Sequence, residues 1–194
     1  SLGKHNIDAL VGSIDERNDH YNHFSSGVGY EANDIKKLQF ADNTNTNEYE
    51  YTITGKSYIS RLNYNFDDRY LLTFSFRQDG SSKFGKDNKW AGFPSAAVAW
   101  KISNESFLKD VKQISELKLR FSYGQTGNQG IGSYASLAKL SVYNYPFGGA
   151  VQTGIANDLF AGPANEKLRW ETTSAYNLGL DLGMFNSRLS FTVE

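Results

Sequence analysis

Apolar and polar side chains alternate with a period of two along much of this chain. In "SYISRLNYNF" (Ser57 to Phe66) one face carries Tyr58, Ser60, Leu62, Tyr64 and Phe66, and the other carries Ile59, Arg61, Asn63 and Asn65. Such alternation predicts a strand with one apolar and one polar face. Asp67-Asp68 then forms a tight connection, where Asp is favoured for backbone reasons. In "RYLLTFSFRQ", Tyr70, Leu72, Phe74 and Phe76 oppose Leu71, Thr73, Ser75 and Arg77, so the two runs read as a hairpin. The pattern recurs in "SAAVAWKI", "LKLRFSYGQ", "SAYNLGLDLGM" and "RLSFTVE". A less regular strand is expected at about His5 to Arg17. The count is about seven strands.

The connections alternate in length. Long ones are expected at about Asn18 to Thr52 and Gly127 to Arg169, the latter with a small hairpin seeded by "LAKLSVYNY". A polar loop, "RQDGSSKFGKDNKW" (Arg77 to Trp90), is expected to be flexible, its glycine and serine giving the chain freedom to turn. Short turns are expected at Asp67-Asp68 and Phe185 to Ser187. "SNESFLKDV" predicts one short helix, with Ser103 or Asn104 as N-cap, Glu105 in the first turn and Phe107 and Leu108 as its apolar residues. In an up-and-down sheet, alternate connections share an end, so long loops gather at one end and tight turns at the other. Transmembrane β-barrels show this asymmetry, with short periplasmic turns and longer extracellular loops.

Two solvents could meet the apolar face. One reading is a soluble secreted β-domain that uses the face as its core and acts as a binding or adhesion module. The other is a partial transmembrane β-barrel: an all-β, antiparallel, up-and-down curved sheet whose apolar face meets lipid. The polar face holds glycines (Gly124, Gly179, Gly183), small residues and scattered charges, a mixture suited to a water-filled lumen. Strand lengths approach the roughly 9–11 residues that cross a bilayer. Aromatics gather at strand ends, with Phe66, Tyr70 and Phe185 at the tight-turn end and Tyr58, Phe76, Tyr123 and Tyr176 at the loop end. Interfacial girdles belong there. On this reading Leu180 faces lipid and Asp181 the lumen, so Leu180→Arg is costly and Asp181→Asn is mild.

Composition narrows the choice. The 194 residues carry a formal net charge of −1, which gives no attraction to nucleic acid or an anionic surface. There is no cysteine, which excludes a disulfide framework and thiolate metal sites. Mean hydropathy is low and no run is long enough for a membrane-spanning helix, but barrel strands average to polar values and are not excluded. The start, "SLGKHNIDAL", shows neither Met nor a signal-peptide pattern, and "RLSFTVE" ends inside a strand. A fragment of a longer protein is expected.

The stretch "RLNYNFDDRYLLTFSFRQDGSSKFGKDNKWAGFPSAAVAWKISNESFLK" resembles the barrel of SusC/RagA-type TonB-linked outer-membrane transporters of Bacteroidetes. "LKLRFSYGQTGNQGIGSY" and "EKLRWETTSAYNLGLDLGMFNSRLSFTVE" resemble the segments that follow in the same order. The likeness covers roughly Gly55 to Glu194. It implies residues 1–194 of a TonB-dependent receptor barrel of about 22 strands, with the plug domain and remaining strands outside this chain and the short helix in a periplasmic connection. It also implies import of nutrient oligomers, glycan or peptide, across the outer membrane. The implied partners are a SusD-like surface lipoprotein, TonB (through an N-terminal part of the parent) and outer-membrane lipid.

The residues offer little chemistry of their own. His20 and His23, beside Asp19, are possible metal ligands, but no further ligand follows at recognisable spacing, and they read as loop residues. Asp42 to Glu48 ("DNTNTNE") has the oxygens of a calcium loop without its central glycine and most of its carboxylates, and reads as polar surface. "GQTGNQGIG" matches no phosphate cradle. Trp90 and Phe93 could stack on sugar rings or anchor a strand at the outer interface, and the second reading is preferred. Pro94 suits a strand start. An outer-membrane protease or lipase would need a nucleophile, and no serine sits in a suitable setting. No enzyme is expected, no catalytic, cofactor or metal residue is assigned, and the residues contacting substrate are unknown.

Overall fold

The computed structural model describes residues 3–31, 37–158 and 162–194. It contains nine strands: β1 (His5–Tyr30), β2 (Ala41–Phe66), β3 (Tyr70–Ser81), β4 (Trp90–Lys101), β5 (Ile114–Asn128), β6 (Leu140–Phe147), β7 (Ala150–Asn157), β8 (Glu171–Met184) and β9 (Leu189–Val193). Seven form one sheet in the order β1-β2-β3-β4-β5-β8-β9, and β6-β7 form a separate hairpin. The pairings of β2 through β5, β8 and β9 are all antiparallel between neighbours in the list. This is the all-β, up-and-down sheet that the alternation predicts. The chain divides into two compact units, residues 1–15 with 55–194 and residues 16–54.

In the larger unit, register carries the period-two pattern across the sheet. Tyr64, Leu72, Val98, Phe121 and Leu178 fall in one row, and Leu62, Phe74, Ala96, Tyr123 and Tyr176 in the next. Many large apolar side chains of this face are left open, as Phe74, Val98, Phe121 and Leu178 illustrate, while Tyr64, Leu72 and Leu182 are half-buried. The only buried apolar side chains among the described residues are Phe84 and Phe93. A water-soluble sheet would bury such a face against a second layer. Aromatics bracket it. At the tight-turn end Phe66, Tyr70 and Trp100 stack in sequence at 6.3 and 6.4 Å between centroids. At the loop end Tyr58 stacks on Trp90 at 5.9 Å and Tyr123 packs on Tyr176 at 4.9 Å.

The opposite face is cross-linked by polar side chains. Asn63 donates to Asp8 (3.2 Å) and accepts from Thr73 (3.0 Å), forming a rung across three strands. The Ser75 and Ser95 hydroxyls meet at 2.6 Å. Arg120 donates two bonds to Asp181 at 2.9 and 3.0 Å and lies within 3.1 Å of Glu194, while Lys118 is 3.4 Å from Asp181. Gly179 makes room for this arginine, since a Cβ there would meet the guanidinium at 3.0 Å. Asp181 is therefore a hub. Its replacement by Asn would remove the charge that both cations address, although Arg120 keeps Glu194.

The turns follow backbone chemistry. Asp67 and Asp68 both adopt left-handed φ (54° and 51°), with Arg69 N–H donating to Phe66 C=O, a two-residue turn of the mirror-image kind that suits hairpin twist. Gly148 and Gly149, also left-handed, close the β6-β7 hairpin, which arises where "LAKLSVYNY" predicted one.

Three expectations need correction. The connection expected at Asn18 to Thr52 is mostly strand, because β1 and β2 each run for 26 residues. At roughly 3.3 Å per residue each is more than twice the length that crosses a bilayer. A ladder of polar residues needs no apolar face, so hydrophobic alternation gave no sign of it. The helix expected at "SNESFLKDV" is a single 3₁₀ turn, Ile102–Asn104, followed by successive i→i+3 bonds from Leu108 to Glu105 and from Val111 to Leu108. Glu105, read as a first-turn residue, is drawn away by other donors. The loop at Arg77 to Trp90 begins only after Ser81 and is packed rather than free.

Facing can be checked by substitution in the full-length protein. Leu180→Arg places a charge on the open apolar face and is expected to cost about 2–4 kcal/mol if near the bilayer midplane. Asn177→Arg, on the polar face two rows from the hub, is expected to cost far less. Folding equilibria in lipid vesicles measure both, and equal costs refute the assignment.

Candidate functional site

The chain's own small core sits at the loop end. The β4-β5 pairing stops at Ser95–Gly124, although β4 starts at Trp90 and β5 continues to Asn128. Phe93 occupies this region. Its ring edges onto Trp170 at 5.6 Å, and Trp170 stacks on Phe84 at 4.9 Å. Phe84 is 2% exposed and Phe93 5%. Gly127 is required beside them, because a Cβ would come within 2.1 Å of the Phe93 ring. Hydrogen bonds then tie three connections together. Trp170 Nε1 donates to Lys89 C=O (3.1 Å), Asn88 donates to Glu166 C=O (3.1 Å), and the Ser136 hydroxyl donates to Lys83 C=O (3.4 Å). Lys83 Nζ donates to Gln129 C=O at 3.3 Å. The loop after β3 is thus held as one body with the segments that follow β5 and precede β8.

Phe93 is accordingly neither an interface anchor nor a free stacking surface. Trp90 is 47% exposed and stacks on Tyr58. The buried cluster was missed in the sequence. Its signal is a lone aromatic in a polar loop ("SKFGK") and a tryptophan directly before a strand ("RWETT").

At the other end, Glu105 gathers three donors. Tyr70 O–H donates at 2.7 Å and Trp100 Nε1 at 3.0 Å to one carboxylate oxygen, and Arg69 donates at 3.2 Å to the other. The Tyr70 hydroxyl above all, then the Trp100 N–H and the Arg69 charge, hold the carboxyl below its ordinary value of 4.5. Around it, Lys4 pairs with Asp67 (3.0 Å) and Lys101 with Asp68 (2.7 Å), and both aspartates are likewise lowered by those lysines. Asn104 donates to Asp68 C=O at 2.7 Å. Two aromatic girdle residues therefore direct their polar tips at protein rather than at solvent.

The candidate ligands in residues 16–54 are not brought together. His20 and His23 lie in β1, and a separation of three residues in a strand sends them to opposite faces. His20 stacks on Tyr51 at 4.5 Å. His23 Nδ1 lies 2.8 Å from Glu48, and the Ser25 hydroxyl 2.8 Å from its Nε2. Asp19 accepts from Arg17 (2.9 Å) and Thr52 (2.6 Å). No group of three His, Cys, Asp or Glu side chains suited to a metal occurs among the described residues. "DNTNTNE" is not a loop but part of β2.

A sheet open on its apolar face, polar on the other and ringed by aromatics is the wall of a transmembrane barrel. The family model described as "TonB dependent receptor-like, beta-barrel" matches residues 4–194, and the chain belongs to that family. It is 42% identical over its whole length to TonB-dependent receptor SusC of Bacteroides thetaiotaomicron, and 34% identical to TonB-dependent receptor P3 of Formosa agariphila. It spans 19% of each of those proteins. Among solved structures, that of the RagAB peptide transporter superposes with a TM-score of 0.78 at 33% identity, covering 96% of this chain and 20% of that one. The chain is of the SusC/RagA type and is an outer-membrane protein.

Two outcomes follow for the full-length protein. Phe84→Ala empties the loop core at about 3–5 kcal/mol, so trypsin cleavage at Lys83, Lys86 and Lys89 is expected to accelerate while the barrel stays folded; unchanged cleavage refutes the core. A lowered carboxyl contributes stability that is complete above its ordinary value and is lost as pH falls through the folded one. Glu105→Gln is therefore expected to melt below the wild type at neutral pH, the gap closing under acid. A gap independent of pH refutes the role of the charge.

Proposed function

We propose that this chain forms part of the wall and the loop end of a TonB-dependent importer that takes up nutrient oligomers. The observation that carries the reading is the uncovered apolar face running across β2 to β9, backed by a polar face, in a chain of the SusC/RagA type. On this reading the apolar face meets outer-membrane lipid and the polar face meets the lumen and a plug domain carried elsewhere in the parent, along with the remaining strands. The β2-β3 and β8-β9 turns and the Glu105 network lie toward the periplasm. The loop core of Phe84, Phe93 and Trp170 lies toward the cell surface, where a SusD-like lipoprotein would cap the barrel. TonB would supply energy through the parent's N-terminal part. The role is passage rather than catalysis.

The substrate is an oligosaccharide or a peptide. RagAB, at 33% identity, is a peptide transporter, which supports the second. The test is deletion of the parent gene in its host, with growth measured separately on oligosaccharides and on peptides as sole nutrients. Loss of growth on one class, restored by the wild type but not by a version lacking the TonB-contacting segment, is expected. Undiminished growth on both overturns the proposal.

A further inference from the structure

A groove of about 370 Å³ crosses the apolar face below the loop-end aromatics. Val11, Ser60, Phe76, Pro94, Ala96 and Tyr123 are among the residues that line it, with Arg61, Ser75 and Ser95 contributing from the neighbouring positions. It exists because small residues fall in register beside large ones: Ser60 faces Phe76, which faces Pro94, and Ala96 faces Tyr123. The serine hydroxyls along it are spent within the protein, since Ser60 Oγ donates to Phe76 C=O at 3.4 Å and the Ser75 and Ser95 hydroxyls bond to each other. The groove is therefore lined mainly by apolar surface.

Toward the loop end, polar donors succeed this apolar channel on the same face. Two residues along β2 from Ser60 stands Tyr58, stacked on Trp90. Lys56 follows, its ammonium 5.7 Å from the Tyr58 ring centre and 3.2 Å from Asp15, whose side chain is 66% exposed. A cation, a phenol and an indole N–H thus stand at girdle level directly above a channel of hydrocarbon character. One end suits an alkyl chain and the other suits an anion, in the order in which a membrane lipid presents them.

We propose that this groove is a binding site for an outer-leaflet lipid, one acyl chain lying over Ser60, Pro94 and Ala96 and the headgroup phosphate paired with Lys56. The phosphate accepts from Lys56, Tyr58 and Trp90, and the exposed Asp15 carboxylate turns out to water when it arrives. The site rests on the membrane-facing part of the functional reading and not on transport itself.

The test uses the full-length protein in nanodiscs of phosphatidylcholine with a minor share of phosphatidylglycerol, followed by native mass spectrometry of the lipid retained on release. Neither substrate nor TonB is present, so failure of the transport reading leaves the result untouched. The wild type is expected to retain a phosphatidylglycerol. Ala96→Phe, which fills the groove with an apolar side chain on a lipid-facing position, is expected to abolish retention, with folding checked by the heat-dependent shift of the barrel on a gel. Lys56→Gln, which leaves the groove intact, is expected to lower phosphatidylglycerol retention about fivefold. Retention unaffected by either substitution overturns the site. So does a wild type that releases no lipid, or one that instead holds a second copy of the transporter that Ala96→Phe dislodges.

Discussion

Backbone amides cannot be left unpaired in hydrocarbon, where each orphan group costs several kcal/mol. The rest of this structure depends on that constraint. It demands a ladder through the membrane-crossing part of every strand, and the register from β2 through β5 and on to β8 supplies one, with a single irregularity between Ile114 and Glu116, while β9 pairs with β8 only over Leu180 to Met184. With the ladder fixed, side chains are free to differ by face. One face can be all hydrocarbon because nothing polar is required of it. The other can carry Arg120, Lys118 and Asp181 because it need not enter lipid.

The ends of the wall solve a different problem. Where the ladder stops, backbone groups and aromatic tips need other partners, and each end is closed differently. At the tight-turn end closure is ionic, with Glu105 holding two aromatics and an arginine while the turn aspartates hold two lysines. At the loop end closure is apolar. β4 and β5 part company above Ser95 and Gly124, and Phe93, Phe84 and Trp170 pack there. The loops joined by that cluster gain order from tertiary packing that their glycine-rich sequence does not advertise.

What was legible in the sequence tracks these physical causes. The strands that cross lipid were readable because lipid enforces strict alternation, as in Tyr58 to Phe66. The girdle was readable because tyrosine and tryptophan gather at its level. The stretches of β1 and β2 within residues 16–54 were not, since "DNTNTNE" pairs its backbone without an apolar face to betray it. Phe93 was misplaced because its chemistry suits an interface and a core alike, and only the glycine at position 127 and a tryptophan 77 residues away decide between them. Glu105 looked like a helix signal because the donors that claim it belong to strands, Tyr70 lying 35 residues away in β3 and Trp100 in β4 just before it.

The near absence of a buried apolar interior has a thermodynamic consequence. The described chain keeps 14623 Å² exposed, and its large apolar side chains are mostly on the outside. In a water-soluble domain, unfolding wets the core and raises the heat capacity in proportion to the apolar area exposed. Here there is scarcely a core to wet. Folding of this wall is a partition between solvents rather than a collapse, and its curvature with temperature belongs to the transfer of leucines and aromatics from water into the bilayer.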